Sequence, residues 1–185
     1  MARASVTNRE FKGVRIEIET EIPFEEVLGA LRAQTGRTTV AEIGAVASAA
    51  SSVEDFHKDV NKRFVGPGGF MIFAEIDHGE WIARYGIHRR VLRVILGNPL
   101  IAITMLREDI SAGLFAPVEI LLADKADGSG SMLQYVRPSS LIAIDGNAAL
   151  ASAARELDRK LDLLLSNITE LNAGATPQEK AAAQK

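Results

Sequence analysis

The sequence predicts a single α+β domain, in which a mainly antiparallel sheet of about five strands is layered with helices. Three observations support this fold class. Residues 14–19 alternate apolar with charged side chains, which is the period of a strand with one buried face. The turn sequence DGSG at residues 127–130 separates two apolar runs and predicts an antiparallel hairpin, so the sheet is not parallel throughout. Residues 147–171 keep a helical period to their end.

The first half of the chain predicts one strand and three helices. The strand is formed by residues 14–19. A first helix begins at Pro23 and ends before Gly36, and its apolar residues recur at helical spacing. A second helix, over residues 38–50, is rich in alanine and has a face of small residues. Ser52 is placed to cap a third helix, whose apolar residues recur every four positions.

The second half alternates short strands with helices. The predicted strands cover residues 70–76, 91–96, 118–123 and 132–136. A brief helix around Trp81 ends at Gly86, between the first two of these strands. After the second of them, Asn98 is a helix cap with Pro99 in the first helical position. The predicted order of elements is therefore βαααβαβαββα.

Composition places the chain among ordinary globular proteins and excludes several function classes. A length of 185 residues, with 47% hydrophobic and 24% charged residues, suits one domain. We expect that domain to span residues 1–172 and a mobile polar tail to follow at 173–185. The absence of cysteine excludes thiolate and disulfide chemistry, and three histidines without ligand spacing predict no metal site. A net charge of −3 argues against a nucleic-acid partner.

Targeting signals are not evident in the sequence. The N-terminal residues lack the apolar core of a signal peptide. The most apolar stretch, residues 94–106, is interrupted by GNP at 97–99 and is shorter than the ~20 residues that a bilayer crossing requires. We therefore expect a cytoplasmic protein with no membrane partner.

The C-terminal helix predicts a homodimer. Its apolar residues alternate steps of four and three, as in a coiled-coil seam, and they are Leu150, Ala154, Leu157, Leu161, Leu164, Ile168 and Leu171. A helix of about 25 residues spans roughly 37 Å, whereas strands of about six residues span about 20 Å. We therefore expect residues 163–171 to overhang the sheet and to bury against a second copy of the chain.

Several short motifs follow one another in the second half of the chain. They are GFMIF at 69–73, IDHGEW at 76–81, LGNPLIA at 96–102, APV at 116–118, Tyr135, and PSS at 138–140. Because these motifs occur in this order at compatible spacing, the chain resembles the domain of unknown function 302 family over roughly residues 68–165. The resemblance implies a compact two-layer α+β domain, commonly dimeric, with no settled activity. Val136 and Glu108 depart from the family pattern, which favours an acidic residue and a histidine at these positions.

Eight side chains are candidates for a ligand site: Glu75, Asp77, His78, Trp81, Asn98, Tyr135, Ser139 and Ser140. Asp77 and His78 could form an acid–base pair, or Asp77 could simply cap a short helix. Glu75 lies in an apolar strand, where a carboxylate must be paired, must change its pKa or must sit at the wet end. Trp81 suits either the core or the wall of a ligand site.

The remaining candidates allow a similar choice. The turn at Asn98 could present free N–H groups to an anion, or could serve only as a helix cap. Tyr135, Ser139 and Ser140 provide hydroxyls near the same sheet edge, but no nucleophile or phosphate-loop motif surrounds them.

The sequence is compatible with two main classes of function and with a third, non-binding class. The leading hypothesis is a non-enzymatic homodimer that binds a small molecule or an anion in one pocket. That pocket would be lined by His78, Trp81, Asn98 and Tyr135. The second is an enzyme in which His78 works with Asp77 or Glu75, and the third is a purely structural interaction module. The sequence names no cofactor. If the pocket exists, His78 and Asn98 should lie within about 10 Å of each other.

Overall fold

Six strands and seven helices make up residues 3–169, the part of the chain that the computed structural model describes. The strands are β1 (Arg15–Thr20), β2 (Gly36–Arg37), β3 (Met71–Asp77), β4 (Val91–Gly97), β5 (Val118–Asp124) and β6 (Ser131–Val136). The helices are α1 (Phe24–Gln34), α2 (Val40–Ala49), α3 (Val53–Phe64), α4 (Gly79–Ile82), α5 (Pro99–Leu106), α6 (Pro138–Ile142) and α7 (Ala148–Thr169). Two 3₁₀ turns, Ala83–Tyr85 and Ile110–Leu114, follow α4 and α5.

The strands form one sheet in the order β1-β6-β5-β4-β3-β2. All neighbouring pairs are antiparallel except β2 and β3, so the predicted α+β class and mainly antiparallel sheet are confirmed. The sheet has six strands rather than five, because the two residues of β2 are too few to show a strand period. Glycine is required there: a Cβ at Gly36 would lie 1.7 Å from the carbonyl oxygen of Phe64.

Local signals in the sequence correctly mark where several helices begin and end. The Ser52 side chain accepts a hydrogen bond from the N–H of Asp55 at the start of α3, as its spacing predicts. Gly86 adopts a left-handed φ of 79° directly after the 3₁₀ turn that extends α4. The five residues of α6 were not predicted, because proline and serine are equally common in turns.

The two faces of the sheet are covered differently. One face is buried under α1, α5, α6 and α7, which together with the sheet form the main hydrophobic core. On the other face, α2 and α3 pack near β3 through a second cluster, formed by Val46, Val60, Phe64 and Met71. The rest of that face, apart from Ala123, is mostly half-buried or exposed, and we call it the open face. Its side chains include Arg15, Glu17, Ile76, Arg93, Ile95, Glu119, Leu121, Gln134 and Val136.

The C-terminal part of helix α7 is covered by its own chain. Leu164, Leu165 and Ile168 are all buried within this one chain. The prediction that this stretch buries its apolar stripe against a second copy is therefore wrong for Leu164 and Ile168, and Leu171 lies outside the described residues. The physical reason is that α7 packs on α1, α5 and α6 as well as on strands, and the comparison of helix and strand lengths left these helices out.

Residues 3–169 contain neither a helix that could span a membrane nor a metal-binding cluster. No helix in this range is both long enough and apolar enough to cross a membrane. Over the same residues, no three or more histidine, aspartate or glutamate side chains lie together in a way that could hold a metal ion.

Candidate functional site

The strand register divides the eight candidate residues between two ends of the sheet. Strands β3 and β4 are antiparallel, with Met71 opposite Gly97. His78 directly follows the last residue of β3, whereas Asn98 lies beside its first residue. The seven residues of β3 therefore separate the two backbones by about 20 Å, and the prediction of one pocket containing both is wrong.

We name the two ends by the residues they contain. The motif end, where β4 and β6 finish and β3 and β5 begin, contains Asn98, Tyr135, Ser139 and Ser140. The histidine end, where β3 finishes, contains Asp77, His78 and Trp81. Glu75 lies within β3, between the two ends.

At the histidine end, the imidazole is not paired with a carboxylate. The Nδ1 atom of His78 accepts a hydrogen bond from the indole Nε1 of Trp81 at 3.3 Å. The Oδ1 atom of Asp77 instead accepts from the backbone N–H of Gly79 at 2.7 Å, so Asp77 holds the start of α4. Trp81 is exposed rather than buried in the core, and its ring meets that of Tyr85 edge to face. Within residues 3–169, the geometry for a histidine–carboxylate acid–base pair is absent.

Glu75 is held in an ion pair that joins three elements. Its carboxylate accepts two hydrogen bonds from Arg32 of α1, at 2.8 and 3.0 Å, and one from Arg37 of β2 at 2.5 Å. The Glu75 side chain is only 11% exposed. The hydrogen bonds from Arg32 lower the pKa of Glu75 more than burial raises it, so the group stays ionised. Its oxygens are already occupied, which suits a structural role.

Asn98 caps α5 and occupies the first N–H groups of the helix. Its Oδ1 accepts from the N–H of Leu100 at 2.8 Å, and its amide nitrogen donates to the carbonyl of Gly69 at 2.9 Å. The N–H groups of Ile101 and Ala102 both donate to the carbonyl of Asn98. The cap interpretation is confirmed, and the alternative of an anion site at this turn is wrong, because the first donors of the helix are already bonded.

Tyr135 and Ser139 both contact aspartates of α7. The hydroxyl of Tyr135 donates to Oδ1 of Asp162 at 2.5 Å, and the backbone N–H of Ser139 donates to Oδ1 of Asp158 at 2.9 Å. Burial and the bond to Asp162 raise the pKa of Tyr135, so its hydroxyl stays protonated. The two aspartates were not among the predicted site residues. A sequence pattern could have indicated them: the two carboxylates lie four positions apart beside the apolar stripe of α7. A carboxylate at the edge of a core requires a hydrogen-bond donor.

Ser140, in α6, bonds to the backbone residues that directly precede β1 and α6. Its Oγ accepts a hydrogen bond from the N–H of Val14 at 2.9 Å and donates to the carbonyl of Arg137 at 2.7 Å. The hydroxyl is thus used by the backbone on both sides. Among residues 3–169 no base contacts Ser140, so it is placed as a structural residue rather than as a nucleophile.

An apolar cavity of about 150 Å³ lies beside Asn98 at the motif end. Its wall includes Phe73, Gly97, Met105, Pro117, Val118 and Leu157. A β-bulge between Ile72 and Ala74 shifts the register at Phe73. A Cβ at Gly97 would lie 3.0 Å from Cβ of Pro117, so glycine lets β4 end close against the start of β5. The motifs GNP and APV therefore meet in space at this cavity.

A larger cleft, of about 580 Å³, opens between β5 and β6. The two strands pair only as far as Leu121 opposite Gln134, although β5 begins at Val118 and β6 continues to Val136. The cleft occupies this fork, and it shares Pro117 and Val118 with the apolar cavity.

The cleft has both polar and apolar walls. Its charged side chains are already paired: Arg93 donates to Glu119 at 3.0 Å, and Arg15 donates to Gln134 at 2.9 Å. Its apolar wall consists of Leu114, Phe115, Pro138 and Leu141. Of the eight candidates, only Tyr135 lines this cleft and only Asn98 lines the cavity. The other lining residues were not predicted. The point at which two strands separate does not change the alternation of apolar and polar residues within either strand.

Comparison with known proteins adds a family match and a structural neighbour. Residues 44–168 match the family model described as domain of unknown function DUF302. The crystal structure of an uncharacterized conserved protein DUF302 from Bacillus stearothermophilus aligns with a TM-score of 0.58 at 14% sequence identity. The alignment covers 83% of this chain and 97% of that one, and at this identity it concerns the fold alone. No curated protein matches the chain.

Proposed function

Since this chain belongs to the DUF302 family, whose function is unknown, we propose its role from its own cavities: it is a small-molecule-binding domain without catalysis, with its site at the motif end. The resemblance seen in the sequence is confirmed by the match over residues 44–168, which also includes α3. Membership of this family indicates no substrate, so the proposal is supported by the shape and lining of the cavities in this chain.

One observation supports binding most strongly: the cleft and the apolar cavity share a wall at Pro117 and Val118. The cleft, at about 580 Å³, falls within the range of ~300–1,000 Å³ typical of ligand pockets. The cavity, at about 150 Å³, is of a size that accepts a benzene-sized group. We propose a ligand with an apolar end in the cavity and a larger, partly polar body in the cleft.

The contacts of the other candidates favour binding over proton transfer. His78 faces an indole, the carboxylate of Glu75 is saturated by two arginines, and the pKa of Tyr135 is raised. An anion is the less favoured ligand, because Arg93 already has a carboxylate partner in the cleft. The alternative of an acid–base enzyme therefore has less geometric support than a binding site.

Benzene should bind in the apolar cavity, and the methyl signal of Met105 should report it. The chain has four methionines, of which Met105 lines the cavity and Met71 belongs to the separate cluster under α2 and α3. In a chain labelled with [methyl-¹³C]methionine, titration with benzene should shift the Met105 signal saturably and leave Met71 unchanged. The reason is that the lining is mainly apolar and that a cavity of about 150 Å³ accommodates a benzene-sized molecule.

A matched pair of α5 variants controls this experiment. Ala102→Leu should fill the cavity that Ala102 lines and remove the response of Met105. Thr104→Leu, at an exposed position of the same helix, should leave the response intact. A Met105 signal that does not respond, or that responds equally in the Ala102→Leu chain, would contradict binding at this cavity.

We also propose that the domain works as a homodimer, and that the open face is the contact surface, so that the mouth of the cleft, which shares Arg15, Arg93 and Glu119 with this face, lies at the dimer contact. The apolar stripe of α7 is buried by this chain itself, so it cannot serve as the predicted seam. The open face instead combines apolar side chains with charges of both signs, since Arg93 and Glu119 lie beside Ile95. A two-fold axis through such a face brings the same mixed surface of two copies together, so that the apolar side chains of one copy can pack on those of the other.

Sedimentation velocity of the full chain should show a dimer at micromolar concentrations. Ile76→Glu, at an exposed position of the open face, should shift the distribution towards monomer, because it buries an unpaired charge in the contact. Leu163→Glu, at an exposed position of α7, is the matched control and should sediment as the parent does. A parent chain that is monomeric throughout, or a dimer lost only in Leu163→Glu, would overturn this assignment of the surface.

A further inference from the structure

Resting on the proposed binding function, we infer that the ligand of the cleft is a small molecule with a secondary amide, which bridges the backbones of Glu119 and Val136 where β5 and β6 have separated. The inference depends on which way the backbone groups of β5 and β6 point. It therefore follows from the hydrogen-bond register, and it names the class of ligand that the cleft would select.

The backbone groups of β5 alternate between its two neighbours. The N–H of Asp124 donates to the carbonyl of Arg90, on the β4 side, whereas the N–H of Lys125 donates to the carbonyl of Gly130, on the β6 side. In an antiparallel pair this alternation continues along the strand, so residues with odd numbers face β6. The N–H and C=O of Glu119 therefore point into the cleft.

The same reasoning places the backbone of Val136 on the opposite wall. The N–H of Arg137 donates to the carbonyl of Val14, on the β1 side, so even-numbered residues of β6 face β5. If the register continued, the next hydrogen-bonded pair after Leu121 and Gln134 would be Glu119 with Val136. The observed pairing ends at Leu121 and Gln134, so this next pair does not form. Each wall of the cleft thus directs one N–H donor and one C=O acceptor into the cleft, beyond the last β5–β6 pair that residues 3–169 form.

A trans secondary amide is complementary to this arrangement. Its N–H and C=O point in opposite directions because the group is planar. It can therefore accept a hydrogen bond from one wall and donate one to the other, where a missing strand would otherwise lie. An ester has the same shape and the carbonyl but no N–H, so it can satisfy only one wall. The apolar wall, with Leu114 and Phe115, is placed to contact a hydrocarbon substituent.

N-Methylhexanamide and its ester counterpart, methyl hexanoate, test this inference on the full ¹⁵N-labelled chain. The amide should bind roughly fivefold more tightly than the ester, the difference expected for one hydrogen bond. On saturation with the amide, the backbone N–H signal of Glu119 or Val136 should move downfield, because one of them donates to the amide carbonyl. The ester has no N–H, so it cannot donate a hydrogen bond to the backbone carbonyl on the other wall.

Two variants of one 3₁₀ turn localise the binding. Leu114 lines the cleft and is 79% exposed, whereas Ile110 is 81% exposed and belongs to neither the cleft nor the cavity. Leu114→Lys should weaken amide binding severalfold, because it places a charge against the hydrocarbon substituent, and Ile110→Lys should not. Both positions are so exposed that folding should be equally unaffected.

The outcomes separate the failure of this inference from failure of the proposed function. Equal affinities for amide and ester would overturn the amide inference, while the binding of both would still support a ligand site in the cleft. No binding of either probe, with Met105 still responding to benzene, would overturn the amide inference and leave the cavity standing. No response to any of the three probes would overturn both proposals.

Discussion

Replacing Leu164 with alanine should lower the free energy of unfolding by about 3 kcal/mol, whereas Leu163→Ala should change it by less than about 0.5 kcal/mol. The two leucines are neighbours in α7, but Leu164 is 1% exposed and Leu163 is 48% exposed. Truncation of Leu164 removes apolar contacts and leaves a cavity in the main core. Truncation of Leu163, which lies half-exposed at the surface, leaves no cavity in the core. Urea denaturation of the two variants and the parent measures both effects.

This comparison also tests where the apolar stripe of α7 is buried. If Leu164→Ala cost as little as Leu163→Ala, the stripe would not be packed within its own subunit, and a seam between two copies would again be the better explanation. On the present structure, glutamate at both Leu164 and Ile168 should unfold the chain rather than dissociate a dimer, because both side chains belong to the core.

Replacing Glu75 with glutamine should lower the free energy of unfolding at pH 7 by about 1–2 kcal/mol. The change weakens three charge-assisted hydrogen bonds that join α1, β2 and β3. The lower end of the range is expected, since the side chains of Arg32 and Arg37 are largely exposed and solvent screens the pair. Glu108→Gln, at an exposed position, is the matched control and should have almost no effect.

The effect of Glu75→Gln should depend on pH in a defined direction. The folded chain lowers the pKa of Glu75 below its unfolded value of about 4.3. The carboxylate therefore stabilises the fold fully above the unfolded pKa, and this contribution is lost as the pH falls through the folded pKa. Urea denaturation at several pH values should show a constant difference between parent and variant from about pH 7 to 5, shrinking below about pH 4. A difference that widens on acidification would rule out this account.

Most of the fold was predictable because its signals are local. The alternation in β1, the hairpin turn between β5 and β6 and the cap at Asn98 each depend on residues within a few positions of one another. The two elements that escaped prediction, β2 and α6, have two and five residues, which is too short for a period to show.

The candidate site was predicted only in part, since its geometry depends on residues far apart in the chain. Asn98 and Tyr135 were correctly placed at one end of the sheet, but the antiparallel register carries His78 to the other end. The partners of Glu75 could not be identified from the pattern of β3, because Arg32 lies 43 positions away from it.

The sequence by itself determined the family, the α+β class, the hairpin and the helix caps of this protein. These follow from motifs, periodicity and turn residues, which act over one or two turns of helix or one strand. Only the tertiary structure decided that α7 is covered by its own chain and that β5 and β6 diverge into a cleft beside an apolar cavity. The physical reason is that helix docking and strand divergence are settled by long-range packing, and a single strand or helix has the same local pattern whether its neighbour is in contact or apart.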